Sequence, residues 1–293
     1  MNITKALEVM SSSVDRVKAG SGHKYINKLN GTQLAGVTTI SGMAGFKEAQ
    51  MWMPAWGGKE AVSDLGYFDR IKGRDHKEEL DELANTLEEI KSLSPGEYLE
   101  LLTQAKSAHA RKSRGATDLG KLWHDYLESY LKSIINGGTL PEFPSDNEFI
   151  INAVKGFFEW ASDNVDDWIA SEALVADLNN EYAGTLDALA VVKGSPAVID
   201  FKFADNKSIT WDLQTAGYAK PFSDYGIDIK DRYIIRFPKS ELLRQWNAKE
   251  RCYEEKPNQL EIIECSKENL DWEYKVFLNY RLAEKWVNYK VKK

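Results

Sequence analysis

The chain has 293 residues, 43% hydrophobic and 28% charged, with 9 Trp and 13 Tyr, the composition of a folded protein long enough to bury a substantial core. It contains no run of about 18 apolar residues, which excludes a membrane-spanning helix, and its N-terminus lacks the apolar centre of an export signal, so a cytoplasmic location is expected. The net charge of −7 argues against an indiscriminate nucleic-acid binder but leaves room for carboxylates that hold metal ions, and Cys252 and Cys265, without a C-x-x-C pair, cannot build a four-cysteine zinc or iron–sulfur site.

Taken in chain order, residues 1–100 read as a mainly helical part, with one β-prone run, QLAGVTTISGMAG, followed by an aromatic segment interrupted by Pro54 and a Gly pair. Asp75 to Glu89 is rich in acids, and leucines at helical spacing from His76 to Leu93 predict a helix with a solvated acidic face. Ser94 is placed to cap the next helix. Between Gln104 and Lys121 the basic residues Lys106, Arg111, Lys112, Arg114 and Lys121 outnumber the single acid, Asp118, which offers a surface for phosphates or simply a solvated face. Leu119, Leu122, Trp123, Tyr126, Leu127, Tyr130 and Leu131 then mark a strongly amphipathic helix. A loop over NGGTLPEFPSD leads to a further helix over NEFIINAVKGFFEWASDN.

After Trp168 the pattern changes. SEALVADLNN, EYAGTLDALAVV and PAVIDFKFA predict three consecutive strands in a β-meander. SITWDLQTAGYAKPFSDYG returns to helical spacing, DRYIIRFPK and NQLEIIECS predict two more strands, and residues 268–293 close the chain with a long helix. One α/β domain over 1–293 is expected, with a helical part over 1–100 and the core over 101–293.

The charged residues of the meander bear the chemistry. In the strand over 198–204, Ile199, Phe201 and Phe203 alternate with Asp200 and Lys202, so acid and base point the same way. Charges in so apolar a strand are costly unless paired, hydrated or bound to a metal. Asp187 on the preceding strand supplies a second carboxylate, and a hard divalent ion such as Mg2+ suits a few carboxylates and several waters. Lys202 is placed to position a metal-activated water or to stabilise charge developing on a phosphate. Each residue also has a plainer reading: Asp200–Lys202 as an edge-strand salt bridge, Asp187 as a turn acid, His124 as a hydrogen-bonded core residue, Glu172 as a strand-end acid. Gln214 and Tyr218, at i and i+4, share a helix face.

The order of these parts resembles the RecB-like branch of the PD-(D/E)XK nuclease superfamily. The resemblance rests on His124 in GKLWHDYLESYL, SE at 171–172, AGTLD at 183–187, VIDFK at 198–202 and LQTAGYA at 213–219. GVTTISG at 36–42, with the Lys and Trp residues that follow, is similar to the N-terminal signature of phage-encoded members, and the closing segment fits their ending. The resemblance implies a restriction-endonuclease-like core, a central mixed β-sheet with an antiparallel meander flanked by helices. It implies His124, Asp187 and Asp200 as ligands of Mg2+ or Mn2+, with the backbone carbonyl of Phe201 as a further one, and Lys202 as the catalytic lysine. Gln214 and Tyr218 match the Q-x-x-x-Y motif, and Glu172 matches an acidic position near the metal. Leu186 stands where many members have proline, and the four-cysteine iron–sulfur staple of some relatives is missing, so no cluster is expected. No G-x-x-x-x-G-K-[ST] loop signals a fused motor.

The expected activity is that of a Mg2+-dependent deoxyribonuclease, an exonuclease acting at DNA ends in replication, recombination or repair within a bacterial cell or phage-infected host. A structure-specific endonuclease and a non-catalytic DNA-end-binding module on the same fold are the alternatives. DNA, single- or double-stranded, is the expected partner, with Arg111, Lys112, Arg114 and Lys121 as candidate contacts; a homo-oligomer or a replication or recombination partner protein would fit the same role.

Overall fold

Eight strands of the chain form one mixed sheet in the computed structural model, which describes residues 1–20, 22–74 and 77–291. In chain order the elements are α1 (Ile3–Ser13), β1 (Val14–Ala19), β2 (Gly22–Asn27), β3 (Gln33–Gly36), α2 (Val37–Ser63), α3 (Lys77–Ser92), α4 (Pro95–Lys106), α5 (Ala108–Asn136) and α6 (Glu148–Asn164). There follow β4 (Val165–Asp177), β5 (Tyr182–Val192), β6 (Ser195–Phe203), α7 (Thr210–Ala219), β7 (Asp231–Phe237), β8 (Leu242–Asn247), β9 (Cys252–Pro257), β10 (Glu261–Glu264) and α8 (Leu270–Val291). Two compact units are present: Met1–Phe46, Leu122–Pro238 and Leu260–Lys293 make the first, Lys47–Lys121 and Lys239–Gln259 the second. No helix among the described residues is long and apolar enough to cross a membrane.

The first unit is an α/β fold, a mixed central sheet flanked by helices and preceded by an N-terminal helix. The expected meander is its middle. β4 pairs β5 antiparallel, β5 pairs β6 antiparallel, and β7 lies parallel to β6 after the α7 crossover. β10 closes that side antiparallel to β7. On the other side β1, β2 and β3 form an antiparallel ribbon whose last strand runs parallel to the start of β5. The alternation of β6 sets its packing. Phe201 and Phe203 join Phe237 of β7, and Phe157 of α6 sets its ring edge-on to Phe201 and Phe237, at 5.3 and 5.8 Å between centroids. The stripe on α5 buries Trp123, Leu127 and Leu131 completely, whereas Leu122 stays exposed.

Helix α7 packs tightly because glycine sits at two crossings. A Cβ on Gly184 of β5 would lie 2.7 Å from the Tyr218 ring and 2.8 Å from Val37, and one on Gly217 would lie 2.8 Å from Phe277 of α8. These approaches bring Tyr218 and its neighbour Gln214 down onto the sheet.

Three features differ from the sequence expectation. The β-prone run yields strand only over Gln33–Gly36; from Val37 the chain is helical, because Val37 and Ile40, three apart, bury in the main core and outweigh the β preference of the threonines. Helix α2 continues through Pro54 rather than breaking there. The mainly helical part over 1–100 also contains the unexpected β1–β2 hairpin, whose charges hide its alternation. Asp75 and His76, which open the acidic stretch, lie outside the described residues, as does the side chain of Trp52. In the second unit β8 and β9 form a separate two-stranded sheet, and α4 begins with the expected Ser94 cap, completed into a capping box by Glu97.

Candidate metal centre

The site opens where β5 loses a neighbour. Along one edge of β5, β3 pairs with Tyr182 and Ala183, and β6 pairs from Ala188 onward. Residues 184–187 therefore face a gap between two strands, and Asp187 sits at its inner end. There its carboxylate replaces the ladder: Asp187 Oδ2 accepts the Phe201 backbone N–H at 2.7 Å. Glu172 stands on β4, where Ser171 pairs with Ala188 and Ala173 with Leu186, which sets it opposite Asp187. Its φ of 53° is left-handed, an unusual backbone for a non-glycine residue in a strand. Helix α5 supplies His124, whose Nε2 is 3.1 Å from Asp187 Oδ1 and whose Nδ1 is 3.8 Å from Glu172 Oε1.

His124, Glu172 and Asp187 can each offer a ligand atom with all three atoms within 4.8 Å of one another. Asp200 lies outside that trio but next to it. Its side chain is fully buried, Lys202 Nζ is 2.6 Å from its Oδ2, and Gln214 Nε2 donates to its Oδ1 at 3.2 Å. Gln214 Nε2 is also within 3.2 Å of the Tyr218 hydroxyl as its acceptor. Beyond the Lys202 contact Oδ2 takes no hydrogen bond, so that buried oxygen has a lone pair left for a cation. One imidazole nitrogen, several carboxylate oxygens and an unsatisfied buried oxygen form a donor set that fits a hard divalent ion.

The electrostatics are those of crowded acids. Burial alone would lower the His124 pKa, but the hydrogen bond and charge of Asp187, with Glu172 and Asp200 behind it, raise it to about 9. Burial raises the Asp200 carboxyl to about 6, against the pull of Lys202 and with the help of Asp187. Burial raises Glu172 too, reinforced by Asp187. Asp187 goes the other way: burial opposes its charge, yet His124, Lys202 and the Phe201 N–H hold it below the usual carboxylate range. The Tyr218 hydroxyl is pushed far up by burial and by Asp200. A divalent cation among these groups would offset the cost of burying their negative charges.

The seven residues read from the sequence as the centre thus come together in one place: His124, Glu172, Asp187, Asp200, Lys202, Gln214 and Tyr218. At Phe201 the structure engages the backbone N–H. Sequence reasoning missed Arg16, whose Nη2 lies 3.5 Å from Glu172 Oε2, and the Tyr25 hydroxyl, 3.0 Å from Thr185 Oγ1 in the gap. The basic run lies at the start of α5 in the second unit. All four candidate contacts are exposed there, and Arg111 pairs with Asp64 at 2.5 Å and Lys112 with Glu60 at 2.8 Å.

No family model matches the chain, and no curated protein matches it. Among solved structures the chain is similar to the crystal structure of LHK-Exo in complex with dAMP, at 12% identity and a TM-score of 0.21, over 80% of this chain and 97% of that one.

Proposed function

We propose that the chain is a metal-dependent deoxyribonuclease that hydrolyses phosphodiester bonds, and that it acts as an exonuclease at DNA ends. The observation that carries this reading is the convergence of His124, Glu172 and Asp187 beside the buried Asp200–Lys202 pair. The resemblance of the ordered motifs to phage-type members of the PD-(D/E)XK superfamily supports DNA as the substrate and a free end as its point of attack.

In this reading His124, Glu172, Asp187 and Asp200, with the Phe201 carbonyl, hold Mg2+ or Mn2+. Held there, the ion would supply Lewis acidity for phosphodiester hydrolysis. Lys202 provides a fixed positive charge where negative charge grows on the phosphate during in-line attack. Gln214 fixes the orientation of Asp200 through its 3.2 Å hydrogen bond, and Tyr218 holds the Gln214 amide in turn. The close packing at Gly184 keeps Tyr218 from swinging away.

Incubating the purified protein with end-labelled linear DNA and with closed circular DNA, in Mg2+, Mn2+ or EDTA, tests the proposal. Mononucleotide or short-oligonucleotide release from linear DNA alone, abolished by EDTA, is the expected result. Cutting of the closed circle would reassign the activity as endonucleolytic. Intact DNA under every metal condition would leave a non-catalytic binding module and overturn the proposal.

A further inference from the structure

The β1–β2 hairpin carries its charges unevenly. Residues directly opposite on antiparallel strands share a face, and the pairs Arg16↔Tyr25 and Lys18↔His23 fall on the same face as Val14↔Asn27. Val14 and Tyr25 bury in a cluster with Leu34, Ala176 and Ala183, which seats the hairpin base on the sheet. From that base Arg16, Lys18 and His23, all exposed, continue along the face. Arg16 Nη2 lies 3.4 Å from His23 Nδ1 and 3.5 Å from Glu172 Oε2, so the row begins at the metal centre and leads outward. The hairpin's one acid, Asp15, is on the opposite face and pairs with Lys28 at 3.4 Å.

Glu172 has His124 on the side of the metal centre and Arg16 on the side of the hairpin. Lys18 and His23 make no ion pair with a carboxylate among the described residues, yet they extend the same row, with Arg16 and Lys18 about 7 Å apart along the strand. A line of cations and hydrogen-bonding groups that starts beside a candidate phosphodiester-cleaving centre suits a polyanion whose charges repeat along a chain. We infer that this face of the hairpin grips the sugar-phosphate backbone of the DNA next to the scissile phosphate, through Lys18 and His23, with Arg16 shared between a phosphate and Glu172. The inference rests on the deoxyribonuclease reading for its ligand, and it adds a binding element that neither the motifs nor the metal centre supplies.

The test separates binding from cleavage. Affinity for a fluorescently labelled DNA oligonucleotide is measured against salt concentration, with Ca2+ replacing Mg2+, for the wild type, the double variant Lys18→Gln/His23→Gln and the single variant Lys18→Arg. The double variant is expected to bind about 10-fold more weakly near 0.15 M salt, with the slope of log affinity against log salt smaller by about 1. Lys18→Arg keeps the slope, which distinguishes a lost phosphate contact from a disturbed fold. Unchanged affinity and slope in the double variant overturn the inference. Should the wild type bind DNA without degrading it in Mg2+ or Mn2+, the hydrolytic reading fails while the slope still decides the hairpin's role. A wild type that binds no DNA at any salt overturns both.

Discussion

Asp200→Asn is expected to lower metal-dependent DNA hydrolysis by about 10³-fold or more while the protein stays folded, and Lys202→Ala is expected to do the same. That factor corresponds to about 4 kcal/mol of lost transition-state stabilisation. The reason lies in how the two groups are held. Asp200 has no exposure to solvent, its Oδ1 takes the Gln214 amide, and its Oδ2 retains an open lone pair beside Lys202. Asparagine keeps the shape and a carbonyl but offers a metal no charge. Alanine at 202 removes the ammonium that pairs with that carboxylate. The fold is expected to survive because the packing of β6 lies on its other alternation, at Phe201 and Phe203 against Phe237. Multiple-turnover assays at saturating DNA, with circular dichroism to confirm folding, read the effect. Activity within about threefold of wild type in either variant would remove the pair from the chemistry.

The second large effect is on stability. Arg232→Met is expected to lower the folding free energy by about 3 kcal/mol. Arg232 is fully buried on β7, and its guanidinium holds four neighbours at once. It pairs with Glu273 of α8 at 2.7 Å and donates to the Asp212 carbonyl at 3.2 Å, the Thr215 hydroxyl at 3.3 Å and the Ser266 carbonyl at 2.8 Å. Methionine fills much of the volume but leaves Glu273, itself only 13% exposed, with an uncompensated charge, along with acceptors on α7 that lose their donor. Urea unfolding should show a lower midpoint at unchanged slope, and adding Glu273→Gln should recover part of the loss. A shift under 1 kcal/mol would mean that the guanidinium is not the tie between β7, α7 and α8. Since α7 also carries Gln214 and Tyr218, the same tie keeps the second layer of the metal centre in place.

The parts of the molecule legible in the sequence are those whose patterns are local. Two-residue alternation over 198–204 is enough to place Phe201 in the core and Asp200 beside Lys202. Helical spacing around Trp123 places α5 on the core, and i, i+4 spacing joins Gln214 to Tyr218. What alternation could not show is why Asp187 and Asp200 sit close to the strand gap: β3 and β6 share one edge of β5 and leave residues 184–187 uncovered, a consequence of a parallel pairing between segments almost 150 residues apart. The β1–β2 hairpin was hidden for a related reason. Asp15, Arg16, Lys18, His23 and Lys24 leave Val14 and Tyr25 as the buried apolar alternates, and those bury against β3, β4 and β5 rather than against their own neighbours in sequence. Arg16 reaches Glu172 across 156 residues, a contact that no local periodicity contains. The left-handed backbone at Glu172 is likewise invisible in a residue type that rarely adopts it.

The claim on which the rest depends is that His124, Glu172, Asp187 and Asp200 form a divalent-metal site. Mn2+ binding followed by electron paramagnetic resonance tests it most directly, because free Mn2+ gives a strong signal that binding to protein suppresses. Titrating Mn2+ into the wild type should show saturable loss of that signal, and the Asp187→Ala variant should lose the binding at the same concentrations. A free-ion signal that is identical with and without the wild-type protein would contradict the account.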